Sequence, residues 1–353
     1  MAKILMKGNE AIAEAAIRAG CDCFFGYPIT PQNEVPEYMA KHMPKSGGVF
    51  VQAESEVAAI NMVYGAAGAG FRVMTSTSSP GMALKQEGIS YLVGAELPSV
   101  IVNISRGGPG LGSIQPSQSD YFQVTRGGGN GDYRIVVFAP SSIQEAVDLT
   151  IKAFDLADYY RNPVILLGDG MIGQMMEPVE FNLSKKTNLP KKEWATTGTN
   201  GKRKPNIINS LALASEDLER HNYKLKKKYD EMEEKEVMHE TYKMDDAEIV
   251  LVAYGTTSRI TKNAIDSLRE SGIKAGLIRP ITLWPFPNKA FNEIPKTTKS
   301  ILVVEMSMGQ MIDDVKIANE GRLPIHFHGR PGGMIPSPEE IAEKAKEIVG
   351  GAK

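Results

Sequence analysis

Residues 23–34 read Cys23-Phe24-Phe25-Gly26-Tyr27-Pro28-Ile29-Thr30-Pro31-Gln32-Asn33-Glu34. An apolar run without polar alternation, Cys23–Tyr27, stops at two prolines that fix the backbone around one hydroxyl residue. Such a run is expected of a strand buried on both faces, with the turn standing at the carboxyl edge of a sheet. The same unit repeats outward in both directions. Upstream lie a strand candidate, Ile4–Met6, and a helical pattern that Asn9 can cap and Gly20 can end. Downstream, Val49–Ala53, Arg72–Ser76, Val100–Ser105, Ile135–Ala139 and Val164–Leu167 alternate with helical patterns at 55–69, 82–93 and 143–159. Strands alternating with helices predict an α/β fold: a parallel sheet with helices on both faces.

The composition narrows the function class. Of 353 residues, 40 are Lys or Arg and 42 are Asp or Glu, a net charge of -2. No basic excess draws the chain to nucleic acid or to an anionic membrane. The 42% apolar and 23% charged content is that of a globular protein. No apolar run reaches the roughly 18 residues of a membrane span, and the N-terminal residues lack a signal-peptide core, so the expected location is cytoplasmic. Cys21 and Cys23 flank a single Asp, too close for an unstrained disulfide and too few for a zinc or iron–sulfur site. They read as small residues entering a buried strand. Any electron carrier must come from another chain or a bound cofactor.

Residues 171–245 break the pattern. Residues 184–206 are rich in Lys, Thr, Asn, Gly and Pro and read as loop. Residues 216–243 are dense in both charge signs, and Leu218, Leu225, Tyr229 and Met232 recur at helical spacing. This predicts an amphipathic helix bridging two domains. Lys226-Lys227-Lys228 is followed at once by Glu231, Glu233, Glu234 and Glu236, which makes a solvated helix face. A second α/β block follows, with strands at 248–254, 275–278, 300–304 and 324–328 and helices at 261–271 and 338–349. His326 and His328 share one face of the 324–328 strand without a third ligand nearby, and read as structural. The expected domains are 1–180, a charged linker over 181–245, and 246–353.

Ligands gather beyond the carboxyl ends of strands in such sheets. Three residues there can carry chemistry, and each has a bland alternative. Thr30 is either the cap of the next helix or a hydroxyl held rigidly at the sheet's rim. Glu56 is either a helix-start carboxylate favoured by the macrodipole or a functional carboxylate buried among Val57, Ala58, Ala59 and Met62. Arg106, ahead of Gly107-Gly108-Pro109-Gly110-Leu111-Gly112, is either in a surface ion pair or grips a carboxylate or phosphate. Gly168-Asp169-Gly170 opens a diphosphate motif in thiamine-diphosphate enzymes. That motif needs an Asn after more than twenty residues, and Asn182 comes too soon, so a strand-ending turn is expected.

Tyr27-Pro28-Ile29-Thr30-Pro31, taken with Ser55-Glu56 and Arg106, resembles the α subunit of the 2-oxoacid:ferredoxin oxidoreductases, most closely the branched-chain form. The likeness continues in Gly110–Tyr121, Gly127–Tyr133, Arg279–Phe286 and Glu305–Gln310, and covers nearly the whole chain. The resemblance implies a pyrimidine-binding α/β domain followed by a transketolase C-terminal-like α/β domain. It implies thiamine diphosphate shared with a β subunit that carries Mg²⁺ and the diphosphate. Iron–sulfur clusters are implied in other chains, the γ and ferredoxin-like subunits. Ferredoxin and coenzyme A are the implied reaction partners.

By the same resemblance, Glu56 is the carboxylate facing the aminopyrimidine, where a proton on the ring promotes its imino tautomer. Tyr27 and Pro28 lie beside the cofactor, and Thr30 and Arg106 hold the oxoacid carboxylate. Asn130 stands where relatives often have His, which puts that loop's role in doubt. The implied reaction is oxidative decarboxylation of a 2-oxoacid to acyl-CoA and CO₂, carried out only with partner subunits. A 2-oxoglutarate or aryl-oxoacid specificity is the first rival, for which Arg126 and Arg134 are the nearby candidates as a second cation. A non-catalytic scaffold subunit is the second rival.

Overall fold

The computed structural model describes residues 3–182 and 189–351. Its strands are β1 (Ile4–Lys7), β2 (Cys23–Gly26), β3 (Val49–Gln52), β4 (Val73–Thr77), β5 (Ser99–Ser105), β6 (Val136–Phe138) and β7 (Pro163–Asp169). They continue as β8 (Met176–Val179), β9 (His239–Tyr242), β10 (Ile249–Val252), β11 (Ala275–Pro280), β12 (Thr282–Trp284), β13 (Ser300–Glu305) and β14 (Ile325–Gly329).

A seven-stranded sheet runs β12-β6-β7-β5-β4-β2-β3, and a five-stranded sheet runs β14-β13-β10-β11-β9. Within the first, every pairing is parallel except β12 on β6. Only β9 is antiparallel in the second. The strands β2, β4, β5, β6, β7, β10, β11 and β13 are buried along their whole length, as their continuous apolar runs require. The pair β1–β8 forms a small antiparallel ribbon.

Several expectations need correction. The first helix is Gly8–Arg18 with Lys7 at its cap position, so Asn9 does not cap it. Gly8 is required there because a Cβ would stand 1.7 Å from the Ile172 carbonyl oxygen. Asn9 instead donates from Nδ2 to Pro31 O and Glu34 Oε2, each at 2.8 Å, and pins the Thr30 turn. Thr30 caps nothing: the next helix, Glu34–His42, starts after Asn33. The charged helix spans Ser215–Lys235 and stops before residue 243, because His239–Tyr242 pairs as the edge strand β9. It buries Leu225, Tyr229 and Met232, whereas Leu218 stays exposed. Residues 184–188 of the expected loop lie outside the described residues.

Cys21 and Cys23 are buried free thiols at the start of β2, and burial pushes the Cys21 thiol far above its usual range. No helix among the described residues is long and apolar enough to cross a membrane.

The two sheets meet through polar groups that are fully satisfied. Gln118 is buried, donates from Nε2 to Tyr254 O at 2.9 Å, and accepts at Oε1 from Thr257 Oγ1 at 2.8 Å and Met306 N at 2.9 Å. Arg279 clasps Glu145 with two 2.8 Å bonds and reaches Glu240 at 2.7 Å. Buried charges of this kind are tolerated because every partner is supplied.

Candidate active site

Ser55 Oγ accepts from Ala58 N at 3.2 Å and starts the helix Glu56–Gly68. The cap places Glu56 at the first helical position, 5% exposed, turned inward rather than to solvent. The neighbouring helix, Ser79–Gly94, passes close by. A Cβ at Gly81 would stand 2.5 Å from Glu56 Oε1 and 2.2 Å from Thr77 Oγ1, so only glycine admits this approach. Thr77 Oγ1 and Ser78 Oγ are buried there without a hydrogen-bond partner. Lys85, fully buried one turn beyond Gly81, donates to Thr75 Oγ1 at 3.0 Å. Buried polar groups without partners mark a place where another molecule can complete the set. Glu54, by contrast, is exposed.

Arg106 leaves the end of β5 and is 8% exposed. Its Nη1 donates to Thr30 O at 2.9 Å and its Nη2 to Leu111 O at 3.1 Å. A guanidinium has five donors, so three remain, and Nε is buried without a partner. Its backbone N–H donates to Ser79 Oγ at 2.9 Å, and Ser79 Oγ donates to Asp120 Oδ2 at 2.6 Å. Burial pushes the Asp120 carboxyl up, against the pull of Ser79, Asn103 and Arg106. The start of the Ser79–Gly94 helix therefore touches the Arg106 backbone at Ser79 and the Glu56 carboxylate at Gly81.

Two hollows, each of about 620 Å³, adjoin the residues whose carbonyls the guanidinium holds, Thr30 in one and Leu111 in the other. One holds Thr30, Pro31, Gln115 and Met171; the other holds Ser79, Leu111, Asp120 and Met308. Tyr27 and Pro28 complete the turn, Tyr27 half-buried with its carbonyl accepting from Gln32 Nε2 at 3.3 Å, and Pro28 exposed.

Other candidates find local partners. Asp169 Oδ1 accepts from Met171 N at 2.8 Å and Ile172 N at 3.3 Å and so caps the short helix Gly170–Gln174. Asn130 Oδ1 accepts from Ser90 Oγ at 2.8 Å, tying the glycine loop to the Ser79–Gly94 helix. Arg126 pairs with Asp314 at 2.9 Å. Arg126 and Arg134 line a separate cavity with Glu233, Glu234 and Trp284, which shares no residue with the two hollows beside Arg106. Sequence reading passed over Lys85, Ser79 and Asp120. Lys85 gives no clear signal, since it stands at the end of the run Gly81-Met82-Ala83-Leu84 and is followed by Gln86-Glu87.

Comparison with known proteins gives this geometry its setting. Residues 14–244 match the family described as pyruvate flavodoxin/ferredoxin oxidoreductase, thiamine diphosphate-binding. Residues 247–341 match pyruvate:ferredoxin oxidoreductase core domain II. The ketoisovalerate oxidoreductase subunit VorB of Methanothermobacter marburgensis is 51% identical over 350 residues, covering 99% of both chains. A 2-oxoglutarate:ferredoxin oxidoreductase from Magnetococcus marinus, solved with 2-oxoglutarate, coenzyme A and succinyl-CoA bound, superposes with a TM-score of 0.88 at 29% identity. That match covers 98% of this chain and spans 65% of that longer one. A split-gene transketolase shares the fold at a TM-score of 0.62 and 13% identity, covering 98% of each chain. The α/β fold with a thiamine-diphosphate-binding first part and a transketolase-like architecture stands as expected, and the chain belongs to the 2-oxoacid:ferredoxin oxidoreductase family as one of its oxidoreductase subunits.

Proposed function

We propose that this chain supplies the pyrimidine-facing and substrate-gripping half of an active site for CoA-dependent oxidative decarboxylation of a branched-chain 2-oxoacid. Thiamine diphosphate, when bound, supplies the carbon nucleophile and the electron sink that this reaction requires. The observation that carries the reading is the placement of Glu56 and Arg106 at the start of one helix, Gly81 against the first and Ser79 against the second.

Glu56 exchanges a proton with the aminopyrimidine ring nitrogen. The unpartnered Thr77 and Ser78 hydroxyls beside it suit the polar edge of that ring. Tyr27 and Pro28 line the approach. Arg106 uses its remaining N–H donors, Nε among them, to hold the substrate carboxylate, while its bond to Thr30 O fixes the guanidinium plane. The Thr30 hydroxyl adds a second donor. A carboxylate gripped in this way is aligned for departure as CO₂.

A β subunit brings Mg²⁺ and the diphosphate site, in keeping with Asp169 being committed to a helix cap. The γ and ferredoxin-like subunits carry iron–sulfur clusters that pass two electrons singly to ferredoxin. Coenzyme A takes the acyl group. The branched-chain preference rests on the 51% identity to a ketoisovalerate oxidoreductase subunit. It is supported by the site's cations: Arg126 is paired, and Arg134 lies with two glutamates in another cavity, so neither meets a second substrate carboxylate.

The test is the complex purified through a tag on this chain. Viologen reduction with coenzyme A is measured on 2-oxoisovalerate, 2-oxoglutarate and pyruvate in parallel. Preference for the branched acid, lost in Glu56→Gln, is expected. Preference for 2-oxoglutarate overturns the specificity. Unchanged turnover in Glu56→Gln overturns the catalytic role and leaves a scaffold.

A further inference from the structure

Lys85 is the one fully buried lysine among the described residues, and nothing in the reaction described above uses it. Its ammonium has three donors, and the hydrogen bond it makes is to Thr75 Oγ1 at 3.0 Å. A buried ammonium without a nearby negative charge is costly. Gly81 and Lys85 are four residues apart on one helix face, and Thr75 and Thr77 are two apart on one face of β4. Because Gly81 meets both Thr77 and Glu56, the Glu56 carboxylate, the Thr77 and Thr75 hydroxyls and the Lys85 ammonium line one seam.

The surrounding elements leave Lys85 one charged neighbour. Glu56 is the sole charged residue of its helix, and β4 and β5 contain none. On the Ser79–Gly94 helix the other charge is Glu87, which accepts from the Tyr91 hydroxyl at the surface. On β7 it is Asp169, committed to its cap. Burial pushes the Lys85 ammonium down to about 8, and the field of Glu56 opposes that shift.

We propose that Lys85 is a positioning residue for Glu56, its buried ammonium serving as the counter-charge that holds the carboxylate in place along the seam until the cofactor ring engages it. The inference rests on the assignment of Glu56 given above. Its chemistry is simple. A lone carboxylate in this seam would lack the opposite charge that directs it. With the ammonium in place, it stays ready to exchange a proton with the ring alone.

The test uses the whole complex in two states. In the cofactor-free complex, thermal unfolding is followed against pH for wild type, Lys85→Met, Glu56→Gln and the double variant. The folded state releases the Lys85 proton near pH 8, whereas the unfolded chain holds it to about 10.5, so wild type gains stability as pH rises through that window. Lys85→Met lacks this gain. In Glu56→Gln, with the counter-charge gone, the gain starts at lower pH. The double variant is no less stable than the weaker single one.

In the loaded complex, Lys85→Met lowers kcat by about 10-fold or more with KM nearly unchanged, and Lys85→Arg restores much of it. Additive unfolding effects, together with an unshifted window in Glu56→Gln, overturn the pairing whatever the turnover. Full turnover in Glu56→Gln with coupled unfolding instead removes the catalytic assignment while the pair stands. An unchanged kcat in a folded Lys85→Met complex overturns the positioning role.

Discussion

Arg106 Nη1 donates to the carbonyl oxygen of Thr30 at 2.9 Å, joining the end of β5 to the turn that follows β2. With the Nη2 bond to Leu111 O at 3.1 Å, this contact fixes the plane of the fork and leaves three donors, Nε among them, for a ligand. A lysine in its place has no fixed plane and cannot hold Thr30 O, Leu111 O and a ligand together. Arg106→Lys is therefore expected to lower kcat/KM of the complex by about two orders of magnitude, mostly through kcat. Steady-state kinetics on the purified complex checks this. A change within a factor of two would dissociate the arginine from the substrate.

Gly81→Ala tests the closeness of the helix to Glu56. The added methyl would lie 2.5 Å from Glu56 Oε1 and 2.2 Å from Thr77 Oγ1, so one or both must move. Turnover is expected to fall by about 10- to 100-fold, the scale set by roughly an ångström of misplacement. The melting temperature should fall as well, by the equivalent of about 1–3 kcal/mol for overpacking. Retained turnover would show that the Glu56 position is not critical.

Gln118→Leu removes hydrogen bonds that cross between the sheets. It strands Met306 N and Thr257 Oγ1 in a buried place and leaves Tyr254 O with only its bond from Ser258 N. Leaving such groups without partners costs about 3 kcal/mol in all, after partial relaxation. Urea unfolding of the variant should show a loss of that order, with secondary structure intact.

Glu96 clamps the charged helix to the first sheet's unit. It pairs with Lys224 and, at 3.4 Å, with Lys228. Burial pushes its carboxyl up, yet these ammonium groups outweigh burial and hold it below the ordinary value of 4.5. A depressed carboxyl stabilises the fold above pH 4.5, and that stability fades as pH falls through the lower folded-state value. Glu96→Gln should cost about 2 kcal/mol at neutral pH. The gap to wild type should close as the pH drops below 4.5. A constant gap across that range would assign the loss to packing rather than charge.

Most strands that could be read from sequence have side chains that are all buried, although the partly exposed Ile4–Lys7, Val49–Gln52 and Ile325–Gly329 are legible as well. Val73–Thr77, Ser99–Ser105 and Pro163–Asp169 announce themselves by uninterrupted apolar or small residues. The missed strands are the edge pieces His239–Tyr242 and Thr282–Trp284 and the ribbon strand Met176–Val179. They are short, and two of them carry charged side chains, so no local period marks them. Their pairing is decided by distant partners. The helix Glu34–His42 was hidden by the proline turn ahead of it. Glu56, Thr30 and Arg106 could be picked out because each follows a strand. Lys85 could not, since its meaning depends on a carboxylate that the fold brings in from another helix.

The strand β12 comes from beyond residue 280 and pairs with β6 of the first sheet. A polypeptide severed between the two α/β units would leave β6 with bare amide and carbonyl groups along one side, beside the apolar surface that Trp284 and Phe286 now cover. Naked edges of this kind recruit other strands and precipitate. Anyone wishing to express the N-terminal part by itself should graft a substitute for Thr282–Trp284 onto it, since solubility of that fragment hangs on three residues it does not encode.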